Sequence, residues 1–137
     1  MTALSANREA KRQDGDLINY PVLGSAHIYK GAMVVDVGTG YLSAGSAAGA
    51  YTFLGVAAEE GDNSASATDG AKEVRVYKTG VFQFAKPSAV QSDIGVAMYL
   101  RDDQTVDTTV TNSILVGYCV DIVDTSHVKV RIDAAVK

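Results

Sequence analysis

The chain has no tryptophan, one cysteine, two prolines, two histidines and three phenylalanines. A single thiol, Cys119, has no partner within the chain, so no disulfide framework can hold the fold. The longest apolar run, Ile114 to Val120, contains Gly117 and stops at Asp121, well short of the ~20 residues a helix needs to cross a bilayer. The first residues lack the charged, apolar and small-residue succession of a signal peptide. These absences lead us to expect a soluble protein made in a cytoplasm, with no membrane partner. Cys119 sits inside the apolar run and is expected to behave as a small core residue.

What is present describes one domain. At 137 residues, with 47% hydrophobic and 20% charged side chains, the chain can bury a core of its own and is too short for two. Thirteen glycines, few aromatics and many valines and threonines point to an all-β protein with tight turns. The net charge of −4 is uneven, because residues 1–12 hold three bases against one acid, leaving nine bases and fifteen acids for the rest. Nucleic acid is therefore not expected as a partner of the body.

From Glu73 to Phe84 apolar and polar side chains alternate without losing phase, which predicts one long central strand. Val74, Val76, Gly80, Phe82 and Phe84 share the buried parity, while Tyr77 and Val81 place apolar groups on the exposed one. Lys78 is expected near the sheet rim with its ammonium extended to water, and Gly80 marks a local bend. Ala32 to Val37 and the return at Tyr41 and Leu42 form a hairpin around Gly38, Thr39 and Gly40. Tyr51 to Ala57 and Val96 to Leu100 are further strands, and Ser88 to Asp93 makes a single helical turn. Ile114 to Val120 is expected as a strand buried on both faces, and Val128, Val130 and Ile132 as the buried side of a half-exposed last strand.

Residues 1–16 are almost entirely small, polar or charged and cannot bury enough surface to offset their ordering entropy. They are expected to be a flexible N-terminal arm, ordered on a partner, with residues 17–137 as the folded domain. The two halves of that domain rhyme. Gly31, Ala32 and Met33, then Phe53 to Ala57, then Val74 to Val76 are echoed by Gly95 to Met98, Leu115 to Cys119 and Val128 to Arg131. Two similar β-units of this kind would make a small barrel or sandwich with pseudo-twofold character.

No constellation for chemistry emerges. His127 lies on the polar parity of the last strand and His27 close to the arm, so both are expected as solvated surface residues rather than bases beside a nucleophile. Glu59, Glu60, Asp62, Asn63 and Asp69 lack the alternate spacing and closing glutamate of a calcium loop, so no metal and no cofactor are expected. Asp102, Asp103 and Asp107 are expected as solvated turn residues. The protein is not expected to be an enzyme.

The order and spacing of several segments resemble tailed-bacteriophage capsid cement proteins, also called head decoration proteins. The resemblance is carried by Tyr20 and Pro21, by Ile28 to Ala32, by Gly40 and Tyr41, and by Gly55 followed by Glu59, Glu60, Asp62, Asn63 and Ser64. It continues through Val74, Val76, Gly80 to Phe82 and Phe84, and Asp102 to Val106, and so runs from about Asp16 onward. Lys129 departs from it, standing where relatives tend to have an aromatic. The resemblance implies a β-domain on the outer capsid surface of a virion, clamping neighbouring copies of the major capsid protein, commonly as a homotrimer, and no catalysis. On this reading Arg8, Lys11, Arg12, Leu17, Ile18 and Tyr20 form a capsid-binding arm, and Tyr77 and Val81 are candidates for subunit contact. Two alternatives are a glycan-binding or adhesion module, which would need exposed aromatics in one groove, and a small trimeric β-barrel hydrolase relying on a carboxylate such as Asp103.

Overall fold

A computed structural model describes residues 2–137; Met1, the first residue of the expected arm, lies outside the described residues. In chain order the first unit contains β1 (Leu17–Pro21), β2 (His27–Ile28), β3 (Met33–Asp36), β4 (Leu42–Ala44), β5 (Thr52–Ala57), β6 (Gly61–Asp62) and β7 (Glu73–Tyr77). The second contains β8 (Val81–Ala85), β9 (Ala97–Leu100), β10 (Val106–Asp107), β11 (Leu115–Asp124) and β12 (His127–Arg131). A single 3-10 turn, Gln91–Asp93, is the one helical element among the described residues. The chain is all-β, as composition and alternation predict.

The repeat extends to topology and to single hydrogen bonds. The first sheet has the order β1-β7-β5-β3-β4 and the second, read from its other edge, β8-β12-β11-β9-β10, all antiparallel. Taken in chain order, these are the same five strands placed in the same way. Gly31 N–H donates to the Ala57 carbonyl at 2.9 Å, and Gly95 N–H to the Cys119 carbonyl at 2.8 Å. Ala57 N–H donates to the Ala32 carbonyl, and Cys119 N–H to the Val96 carbonyl. Gly55 and Gly117 each follow an extra residue, Leu54 and Val116, at a register shift in the ladders to β3 and β9. Such a bulge adds local twist.

The expected pseudo-twofold does not follow from this repeat, because equivalent faces do not meet. One core lies between the sheets: Met33, Val35, Phe53 and Val56 of the first pack with Met98, Val116, Cys119, Val128 and Val130 of the second. By register, the residues of the first sheet equivalent to those of the second are Val34, Leu54, Ala57, Val74 and Val76, and these form a separate core under Val22, Ile28 and Ala32. The units therefore stack head to tail, one face of the first sheet against the opposite face of the second. The β2–β6 ribbon and the chain around it cap the stack at the first sheet. Among the described residues nothing caps it at the other end, where Val81 and Tyr118 are exposed.

The alternation from Glu73 to Phe84 holds, but the single long strand does not. The chain leaves the first sheet after Tyr77 and enters the second at Val81, so Val76 and Phe84 lie in different cores. The crossing is pinned by Asp133, whose Oδ1 accepts from Gly80 N–H at 2.7 Å and from the Thr79 hydroxyl at 2.9 Å. Lys78 turns inward rather than to water, donating to the Tyr20 hydroxyl at 2.8 Å and to the Leu54 carbonyl, with its ammonium 4.8 Å from the Tyr20 ring centre. Two carbonyl and hydroxyl acceptors and a ring face hold that charge better than the rim would. The run from Ile114 also differs: Tyr118 and Val120 are exposed, because this end of β11 is covered on one face only.

Two measurements follow from this packing. The gathered donors hold the Asp133 carboxyl below the usual range, the Gly80 N–H first and the Thr79 hydroxyl second. A depressed folded pKa contributes stability above the unfolded value and loses it as pH falls through the folded one. Asp133→Ala is expected to lower stability by about 1 kcal/mol at neutral pH, the small end for a charged acceptor because the group is exposed, with the difference from wild type closing in acid denaturation curves. Cys119 is buried, and burial first of all raises its thiol pKa. It should react with a thiol reagent at neutral pH only when denaturant is added; fast labelling of the native chain would mean that β11 does not pack as described.

Candidate interaction surfaces

Residues 2–16 carry no strand or helix and every one of them is exposed. Arg8, Lys11 and Arg12 fall within this segment and form no ion pair among the described residues. Leu17, Ile18 and Tyr20 stand in β1 instead, paired with Tyr77, Val76 and Val74. Leu17 is exposed, whereas Ile18 and Tyr20 are half-buried and Tyr20 packs on the capped core. The six residues assigned to an arm thus divide into three ahead of the sheet and three within it.

Tyr77 and Val81 do not share a surface, because the chain changes sheets between them. Tyr77 looks across the mouth between the layers, its ring 5.6 Å from that of Phe82, in a cleft of about 210 Å³ with Val56 and Phe84. Val81 lies on the outer face of the second sheet, opposite Arg131, which is itself opposite Tyr118 and then Ala97. The next row holds Gln83, Lys129 and Asp121, the last two 3.8 Å apart. In the first sheet the equivalent face is buried at Met33, Val35, Phe53 and Val56 and opens only at its edge, where Tyr77 and Leu17 are exposed. In the second sheet the corresponding Ala97, Tyr99 and Leu115 are half-buried and Tyr118 is 43% exposed.

A second exposed apolar group borders this sheet. Val90, Ile94 and Val96 surround the 3-10 turn, and the Val96 carbonyl accepts from the N–H of Cys119, the residue before exposed Val120. The turn is anchored by a buried ion pair, Lys86 Nζ to Asp93 Oδ2 at 3.2 Å, and Asp93 also accepts from Val90 N–H. Sequence reasoning placed Val96 at the start of a strand and Val120 at the end of one buried on both faces; the strand starts at Ala97, and both valines are exposed.

Several of the titratable groups are engaged in turns. Asp124, Ser126 and His127 gather in the β11–β12 turn, but the serine hydroxyl and the carboxylate both face His127 Nδ1, at 3.3 and 3.0 Å. A base activating a hydroxyl needs the carboxylate on one ring nitrogen and the hydroxyl on the other. Asp102 accepts from the backbone N–H groups of Gln104 and Thr105, and Asp107 pairs with Arg101 at 3.0 Å. Burial, then the neighbouring Asp102 charge, raises the half-buried Asp103 carboxyl. His27 departs from the expected solvated position: its ring is half-buried, stacks on Tyr29 at 4.1 Å, and lies against Glu60 and Asp62.

The fold is thus a two-layer β-domain with an exposed N-terminal segment and an open face on its second sheet. Residues 12–134 match the family described as phage cement protein, and the chain belongs to that family. It is a capsid-associated structural protein of a phage virion. Among solved structures it is similar to the N base of the head fiber gp8.5 of bacteriophage phi29, with a TM-score of 0.52 and 17% identity, covering 88% of this chain and 98% of that one. At that identity the likeness is one of fold. No curated protein matches the chain.

Proposed function

We propose that this protein binds the outer surface of the assembled capsid and clamps neighbouring copies of the major capsid protein, acting as a homotrimer. The observation that carries the reading is the open face of the second sheet, where Tyr118 and Tyr99 are accessible although the equivalent Val56 and Val35 of the first sheet are buried, and where exposed Val81 and Arg131 continue the surface. A face that mixes exposed aromatic and aliphatic groups with arginine suits a protein partner. The basic segment before β1 supplies a second, extended contact to an acidic partner surface. A glycan-binding role finds less support, since Tyr29, Tyr77 and Tyr118 stand in three separate environments.

Co-sedimentation with mature shells of the protein's own phage tests this. Wild type should pellet with shells and raise their resistance to heat, light scattering should give a trimer, and Tyr118→Glu should weaken shell binding at least tenfold without changing the melting temperature. Failure to pellet, or a Tyr118→Glu variant that binds like wild type, would overturn the reading. A monomer both free and on the shell would remove the trimer.

A further inference from the structure

His27 and Asp62 are direct partners across the β2–β6 ribbon, and Glu60 immediately precedes β6. The ribbon thereby gathers an imidazole and two carboxylates whose donor atoms all lie within 4.8 Å of one another. His27 Nε2 is shielded from solvent and has no hydrogen-bond partner, which is an unfavourable state for a polar atom that could have been turned to water. The Glu60 oxygen nearest to it is 3.4 Å away, too long for a good hydrogen bond. It matches the separation of roughly 3.3 to 3.5 Å between two donors on a tetrahedral ion with bonds of about 2.0 to 2.1 Å.

The surroundings orient these donors. Tyr29 stacks on the imidazole and fixes its plane. Ser64 donates both its N–H and its hydroxyl to Asp62 Oδ1, the oxygen that lies 3.8 Å from His27 Nδ1, which leaves Oδ2 for an ion. Outer partners of this kind fix the direction of a ligating carboxylate.

We propose that His27, Glu60 and Asp62 bind a divalent transition-metal ion of the zinc class, with water completing the coordination. One imidazole and two carboxylates suit zinc better than the all-oxygen sites preferred by calcium and magnesium. The ion would fasten residue 27 to residues 60–62 and so clip the short ribbon that covers the core of Val22, Ile28, Leu42 and Val74. This inference is independent of what the protein binds on a capsid.

The test is thermal unfolding of the full chain, stripped with a chelator and then titrated with zinc chloride, calcium chloride or magnesium chloride at neutral pH. Zinc at about a hundredfold over its Kd should raise the melting temperature by roughly 5 to 10 °C, and calcium or magnesium should not. His27→Gln and Glu60→Gln should lose the rise while keeping the metal-free melting temperature within about 2 °C of wild type. His127→Ala, at the other histidine and carboxylate pair, should retain it. Cobalt(II) added in place of zinc should give visible absorption bands that His27→Gln abolishes, a readout that stays valid if Glu60→Gln folds poorly. Absence of a zinc-induced rise in wild type, or a rise that survives His27→Gln, would overturn the site. So would a His27-dependent stabilisation that appears on acidification alone with no response to zinc, since that would make the cluster an imidazolium held between two carboxylates.

Discussion

Gly55→Ala is expected to destabilise the protein by about 3 kcal/mol or more and to lower its melting temperature by roughly 10 °C. The residue has φ +137, a conformation that side chains rarely adopt, and a Cβ built there would lie 2.1 Å from the Tyr77 carbonyl oxygen. That oxygen belongs to the neighbouring strand, so relief would require β5 and β7 to part at the ladder that joins Val56 to Tyr77. Gly117 repeats the arrangement in the second sheet, with its added Cβ 2.0 Å from the Arg131 carbonyl oxygen. Gly117→Ala should therefore cost a similar amount, and the double variant should not fold, since the sum takes up much of a domain's ordinary stability of about 5 to 15 kcal/mol. Gly15→Ala, where nothing lies within 4 Å, should stay within about 0.5 kcal/mol of wild type. Denaturant curves on the single variants decide the matter, and a Gly55→Ala protein as stable as wild type would mean that the paired bulges are absent.

The parts of this fold that were legible in the sequence are those set by neighbours along the chain. The Met33–Ala44 hairpin, the half-exposed last strand and the repeat itself could all be read from local pattern and turn residues. The alternation from Glu73 to Phe84 could be read too, but a period of two specifies which side chains are buried and not which layer buries them. Val76 and Phe84 keep the same parity while facing different cores, so the change of sheet at Lys78 to Gly80 was invisible. The open face of the second sheet was hidden for the same reason: Tyr118 and Val120 sit in a run as apolar as any core strand, and only the missing third layer exposes them. His27 meets Glu60 and Asp62 through a ribbon of two residues on each side, too short to leave a period in the sequence. Residues 2–16 are exposed and carry no strand, whereas Leu17, Ile18 and Tyr20, grouped with them by sequence, belong to the sheet edge that follows.

Deleting residues 2–16 should leave the melting temperature of the isolated protein nearly unchanged and weaken its binding to mature shells by about a hundredfold or more. Stability should hold because every removed residue is exposed and β1 begins only at Leu17, whose partner Tyr77 remains in place. Binding should fall because fifteen extended residues reach on the order of 50 Å, enough to extend from the domain onto a neighbouring subunit, and main-chain pairing with a strand edge is available to such a segment. The ordering entropy of the segment has to be offset by those contacts, so the backbone carries most of the net gain. Exposed ion pairs contribute only ~0.2 to 1 kcal/mol each, so neutralising Arg8, Lys11 and Arg12 together should weaken binding far less than the deletion does, roughly tenfold, and should flatten its dependence on salt. The two effects separate cleanly in a sedimentation titration run at low and high ionic strength. A truncated protein that binds shells as tightly as the full chain would assign the whole affinity to the folded domain, and with it to the uncapped face of the second sheet.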